Sequence, residues 1–99
     1  MATHELKTWP EYFAAIKRGD KAHELRRDDR NFQAGDQLVL REWDPATSVY
    51  TGDQIRAEVT YVYRGEQGSP FGLGADYCAM SIRPLGFVDD MEPRTGEPK

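Results

Sequence analysis

One segment, residues 55–63, constrains the fold more than any other part of the chain. Its side chains alternate, with one face made by Ile55, Ala57, Val59, Tyr61 and Tyr63 and the other by polar residues. This period of two is typical of a β-strand that lies with one face on a hydrophobic core. We therefore predict a sheet protein in which the whole apolar face of this strand is buried.

The length of the chain limits how such a strand can be covered. With 99 residues, 38% of them hydrophobic, the chain has room for one small domain with one core. We predict that the domain spans residues 1–83, because the chain becomes polar from Pro84 onwards, and that residues 84–99 form a flexible tail.

Cysteine usage and hydropathy indicate where such a protein works. Cys78 is the only cysteine, which excludes an internal disulfide and fits a reducing compartment. The N-terminus lacks a signal-peptide pattern, and no apolar run is long enough to span a membrane. We therefore expect a cytoplasmic protein, monomeric, with no membrane contact.

A helix is predicted directly after a first strand at residues 4–8. Thr8 and Glu11 have the spacing of a capping box, Pro10 suits the first turn, and Gly19 is a typical helix stop. Along the helix a stripe of apolar residues is expected to face the core: Trp9, Tyr12, Phe13, Ala15 and Ile16.

Three further strands complete the predicted fold. A short strand follows Gly19, another runs from Leu38 to Trp43 with apolar residues on both faces, and the last covers residues 77–83, where Cys78, Met80 and Ile82 alternate inward. The predicted class is α+β: a small mixed β-barrel of about five strands, with one main helix packed at one opening.

Positive charge is concentrated in one segment. The chain carries a net charge of −4, but residues 17–30 hold six basic and four acidic side chains. A chain that is acidic overall is not a general nucleic-acid binder, so any attraction to phosphate must come from a local patch.

The short strand after Gly19 is the centre of this patch. Alternation places Glu24 and Arg26 on one face and Leu25 on the other, and since Leu25 suits a core, we expect the charged pair to point outward. The two lie roughly 7 Å apart at the backbone. They form either a solvated ion pair that adds little stability or a site that shares one ligand.

Other kinds of site find less support in the sequence. Two histidines, His4 and His23, and one cysteine do not make a zinc motif. The glycines of residues 65–76 lack the Gly-Lys-Ser or Gly-Lys-Thr ending of a phosphate loop, so this segment is interpreted as a connector or a mobile lid. We expect no metal and no cofactor.

The run Gly19-Asp-Lys-Ala-His-Glu-Leu-Arg26 resembles the Gly-x-Lys-x-x-Glu-x-Arg motif of ASCH domains in the PUA-like superfamily of small β-barrels. Segments up to about residue 83 resemble small bacterial and phage members of that group. The resemblance implies an RNA or nucleotide ligand, bound in a cleft by Lys21, Glu24 and Arg26. Lys7 and Tyr77 are further candidates, and Tyr77 is the aromatic residue expected to be exposed for stacking on a base.

Two alternatives remain open. Related amidohydrolases act on N4-acetylcytidine and other relatives are ribonucleases, so Lys21 and Glu24 are the candidate catalytic residues if the protein is an enzyme. Glu24, however, stands where the amidohydrolases have a threonine. The second alternative is a phage-type module that binds a host protein.

Overall fold

The computed structural model describes residues 1–88 and contains five strands and one helix. In chain order these are β1 (Thr3–Thr8), α1 (Pro10–Arg18), β2 (His23–Arg27), β3 (Gln37–Asp44), β4 (Val49–Arg64) and β5 (Tyr77–Val88). One sheet has the order β1-β3-β4-β5-β2, in which β1 is parallel to β3 and every other pair is antiparallel. The α+β class is confirmed, and the sheet is a curled half-barrel whose edges are β1 and β2.

The core lies on the inner face of this half-barrel. Alternation on β5 is confirmed, because Cys78, Met80 and Ile82 are all buried there. They meet inward residues of β1, β3 and β4 and two residues of the helix, and Phe32 from the connector before β3 completes the cluster. One core of this kind is what a chain of this length can build.

The prediction for β4 holds along only part of its length. Ile55, Ala57 and Val59 are buried as expected, but Tyr61 is 62% exposed. The pairing of β4 with β5 shifts register between Val59 and Tyr61, which is the signature of a β-bulge. The extra residue reverses the alternation, so Val62 packs against the core in place of Tyr61.

The helix begins differently from the way the capping pattern suggests, but it ends where predicted. Trp9 is the N-cap residue, no side chain caps the first turn, and the predicted Thr8 capping box is not formed. Phe13 and Ile16 are buried, but Trp9 and Tyr12 are each 48% exposed, so the predicted inward stripe is too wide. Gly19 ends the helix in a left-handed conformation, as expected.

Two strand boundaries extend beyond the predicted ones. β4 begins at Val49, six residues before the predicted start at Ile55, and β5 continues to Val88, so residues 84–88 of the predicted tail are strand. The remainder of that tail, 89–99, lies outside the described residues. Within residues 1–88, no helix has the length and apolar character needed to cross a membrane.

Candidate binding site at the sheet seam

The turn between α1 and β2 determines where the charged residues lie. Gly19 adopts φ 88°, a conformation that side chains disfavour, and the backbone N–H groups of Asp20 and Lys21 donate to Ala15 O at 2.9 and 3.1 Å. The chain reverses within these residues. As a result, β2 begins beside the end of the helix, at the edge of the half-barrel.

The predicted orientation of β2 is wrong. Glu24 is 3% exposed, whereas Leu25 is 58% exposed. In the ladder with β5, Glu24 lies opposite Met80, a core residue, and Leu25 lies opposite Ala79 on the outer face. Burial of a carboxylate is costly unless the charge is paired, so the partners of Glu24 must explain this arrangement.

Two cations compensate the buried carboxylate. Lys21 Nζ donates to Glu24 Oε1 at 2.6 Å, and Arg26 Nε donates to Glu24 Oε2 at 2.9 Å. The side chains of Lys21 and Arg26 are only 18% and 26% exposed. We call these three residues the ion triad, and it differs from the solvated ion pair that strand alternation suggested.

Arginine side chains also connect the two edges of the sheet. We use the word seam for the gap between β1 and β2. Arg26 Nη2 donates to Lys7 O at 2.6 Å, and Arg30 Nη1 donates to Glu5 O at 2.8 Å. Across the seam, therefore, these contacts take the place of a backbone ladder.

A cavity of about 530 Å³ lies at the seam. This volume is in the range of small-molecule sites in proteins. Its wall contains three lysine or arginine side chains and one carboxylate, so the cavity is locally positive. The lining residues are Lys7, Thr8, Trp9, Tyr12, Lys21, His23, Glu24, Leu25 and Arg26.

Two aromatic residues that the sequence analysis assigned to the core line this cavity. Trp9 and Tyr12 are half-exposed, and Lys21 Nζ lies 6.0 Å from the centroid of the Tyr12 ring. A signal was available for Trp9: Pro10 occupies the first helical turn, and the residue before a proline favours an extended backbone outside the helix. Its side chain therefore does not continue the buried stripe of the helix.

The structure brings four of the five predicted binding residues together. Lys7 joins the ion triad in the cavity wall, and its Nζ lies 4.5 Å from the centroid of the Trp43 ring. Tyr77, by contrast, lies on the outer face of β5 opposite Arg27 and does not line the cavity. Thr8 also lines the cavity, although the sequence pattern did not indicate it, and its buried hydroxyl has no hydrogen-bond partner among the described residues.

A second buried acid lies away from the cavity. Asp36 accepts hydrogen bonds from the backbone N–H groups of Ala2 and Gln33, both at 3.0 Å, and lies 2.9 Å from His4 Nε2. Burial by itself raises the pKa of Asp36, but the hydrogen bonds from His4, Ala2 and Gln33 outweigh it and leave the pKa below its usual value. This acid fastens the N-terminus to the turn before β3.

The chemistry of the remaining candidate groups is limited. Burial, followed by the negative charge of Asp28, raises the pKa of the Cys78 thiol, which keeps this cysteine protonated. Its interpretation as a core residue agrees with this position. Within residues 1–88, no group of three His, Cys, Asp or Glu side chains is arranged to hold a metal ion.

Comparison with known proteins places this fold and chain in context. The crystal structure of hypothetical protein PH0355 matches with a TM-score of 0.53 and 18% identity, over 86% of this chain and 100% of that one, which shows a shared fold. An uncharacterized 12.9 kDa protein in the GpA 3′ region of Escherichia phage P2 is 41% identical over 59 residues, 60% of this chain. That match spans about half, 52%, of the phage protein. Residues 3–82 match the domain of unknown function DUF3850, and the chain therefore belongs to the DUF3850 family.

Proposed function

We propose that the seam cavity binds a nucleotide unit of RNA, and that the DUF3850 family is a branch of the ASCH domains in the PUA-like superfamily. One observation carries this proposal: buried Glu24 holds Lys21 and Arg26 side by side in the wall of a nucleotide-sized cavity. Two oriented cations with a shared carboxylate suit a phosphate group.

Both cations retain hydrogen-bond donors for a ligand. Lys21 uses two of its three N–H groups, on Glu24 Oε1 and on His23 O. Arg26 donates through Nε and Nη2, which leaves Nη1 for a phosphate oxygen. Lys7, whose ammonium group faces an aromatic ring, adds a third positive charge at the mouth of the cavity.

The aromatic residues of the cavity supply contacts for the base. Trp9 and Tyr12, at the start of the helix, are half-exposed and line the same cavity as the ion triad. Bases stack on such rings with a gain of about 1–3 kcal/mol each. In this proposal the phosphate lies against Lys21 and Arg26 while the base lies against Trp9 or Tyr12, in a monomeric protein.

Binding is favoured over catalysis by the state of Glu24. A general base needs an oxygen that can reach the proton it removes, but Glu24 is only 3% exposed and both of its oxygens face the cations that hold it. Glu24 therefore acts as a positioning residue for Lys21 and Arg26. The two alternative functions are hydrolysis of a modified nucleoside or of RNA, and binding of a host protein. The experiment below treats them as possible outcomes.

A two-dimensional amide NMR titration tests the proposal. Adding uridine and adenosine monophosphates, a short single-stranded RNA and N4-acetylcytidine should shift the amides of residues 7–12 and 19–27, and mass spectrometry afterwards should find the ligands intact. Lys21→Met should weaken these shifts, whereas Lys17→Met, at an exposed position in the last turn of α1, should not. Absence of shifts with every ligand would contradict the proposal, and a converted ligand would favour the hydrolase.

A further inference from the structure

The outer face of the sheet beside the seam carries a group of apolar and aromatic side chains. We call it the outer patch, and it consists of Leu25 on β2, Tyr61 and Tyr63 on β4, Tyr77 on β5 and Phe71 in the loop between β4 and β5. Four of them are exposed, Phe71 to 80%. Soluble monomers place large contiguous apolar patches mainly where something binds.

Strand pairing places the members of the outer patch next to one another. Leu25 lies opposite Ala79, and Ala79 lies opposite Tyr63, so these three form a row across β2, β5 and β4. Tyr61 and Tyr77 are two residues away from this row on their own strands, which keeps them on the same face at a spacing of about 7 Å. The row is thus flanked by tyrosine rings on both sides.

The outer patch also contains positive charge. Arg27 Cζ lies 5.6 Å from the centroid of the Tyr77 ring, and no acidic side chain pairs with Arg27 in the described part of the chain. Phe71 contacts Tyr63 edge to face, with 6.2 Å between the ring centroids. Exposed rings combined with an unpaired arginine are the features by which proteins hold unpaired bases and their phosphates.

The seam cavity and the outer patch are continuous. His23 and Leu25 line the cavity, although both side chains belong to the outer face of β2. β2 is an edge strand, so a ligand chain that leaves the cavity crosses this one strand before it reaches Tyr77 on β5, and it crosses β5 as well before it reaches the rings of β4. No described element covers this path.

We infer that the ligand is single-stranded RNA longer than one nucleotide, with one unit in the seam cavity and the following bases stacked on the outer patch. This inference rests on the proposed function, since it uses the cavity as the first position of the strand. A base-paired duplex would hide the base faces that the tyrosine rings contact, whereas unpaired bases expose them. The outer patch is therefore a second part of one extended site.

Chain-length dependence of binding tests this inference. We expect octauridylate to bind more tightly than uridine monophosphate. The double variant Tyr61→Ala/Tyr77→Ala should bind octauridylate at least about tenfold more weakly, because two bases lose the rings on which they stack. Its affinity for uridine monophosphate should not change. Both tyrosines are exposed, so the variant should fold.

Tyr50→Ala is the matched control. Tyr50 is also an exposed tyrosine beside an arginine, with Arg41 Cζ 3.9 Å from its ring centroid, but it is paired with Trp43 at the other end of β4. We expect this variant to bind octauridylate as the unmodified protein does. An equal loss in both variants would overturn the assignment of the outer patch.

The outcomes separate this inference from the proposed function. If uridine monophosphate binds and octauridylate binds no more tightly, the cavity remains the proposed nucleotide site, and the outer patch is excluded as a part of the RNA site. If neither binds, both proposals fail. Sedimentation of the ligand-free protein adds a third arm: self-association that Tyr61→Ala/Tyr77→Ala abolishes would show that the outer patch is a protein contact, which also overturns the inference.

Discussion

Glu24 and Asp36 are equally buried, each 3% exposed, but their surroundings differ in kind. Asp36 is held by two backbone N–H groups and by His4. Glu24 is held by the side chains of Lys21 and Arg26. Burial alone therefore does not tell whether an acid has a structural role or belongs to a binding site. The groups that donate hydrogen bonds to it do.

Donor chemistry explains the difference. A backbone N–H has a single hydrogen to give, so the two amides that hold Asp36 have nothing left for a ligand. Lysine and arginine have several, so the cations that hold Glu24 keep donors that point elsewhere. The Asp36 region is closed, whereas the ion triad can accept another anion.

The largest effect should follow the loss of the triad carboxylate. Glu24→Ala leaves Lys21 and Arg26 facing each other without a counter-charge, and we expect the free energy of unfolding to fall by about 3 kcal/mol. Urea denaturation measures this. Glu5→Ala, an exposed acid 3.6 Å from Arg41, is the control and should cost less than about 0.5 kcal/mol. Similar losses in the two variants would show that the triad does not stabilise the fold.

A smaller loss is expected at the other buried acid. Asp36→Asn keeps the shape of the side chain but removes its charge and presents an N–H₂ group to donors, so unfolding should become easier by about 2 kcal/mol. Nucleotide binding should be unchanged, because Asp36 does not line the cavity. Weaker binding by a folded Asp36→Asn protein would contradict the separation between the two regions.

Protonation of Asp36 at low pH should destabilise the fold less than Asp36→Asn does, because it leaves both side-chain oxygens in place. The folded pKa of Asp36 lies below the value of an unfolded aspartate, about 3.9. The unfolded chain therefore binds more protons in this range, and stability is fully present above that value and falls as the pH decreases through the folded pKa. Urea midpoints measured from pH 6 to pH 3 should fall less steeply in Asp36→Asn than in the unmodified protein.

The smallest effect on stability is expected at Lys7. Lys7 is exposed and its ammonium lies over the Trp43 ring, so Lys7→Gln should change the free energy of unfolding by less than about 0.5 kcal/mol. The affinity for uridine monophosphate should nevertheless fall, by about fivefold, because the cavity loses one of its three cations. Unchanged affinity would place the phosphate away from the mouth of the cavity.

Much of the fold follows from alternation in the sequence. Ile55 and Val59 on β4 and Met80 on β5 are buried as the pattern predicts, because each has a core on one side only. Tyr61 is not buried, because a β-bulge adds one residue to β4 and turns the Tyr61 side chain outward. Alternation in the sequence does not indicate where such a bulge occurs.

The site was predicted less completely. The cluster of Lys21, Glu24 and Arg26 is visible in the spacing, but its orientation is not, because the rule that leucine prefers the interior conflicts here with two cations that compensate a buried acid. From β1, the sequence indicated only one candidate residue for the binding site, Lys7. Contacts across the seam join residues far apart in the chain, and a local pattern cannot report them.

The arginines at the seam have a consequence for the behaviour of the protein in concentrated solution. A strand edge with free carbonyl groups invites a strand of another molecule, which is a common route to aggregation. Arg26 and Arg30 occupy the Lys7 and Glu5 carbonyls that such a strand would need. This edge of the half-barrel is therefore protected from foreign strands by two side chains, without a further strand to cover it.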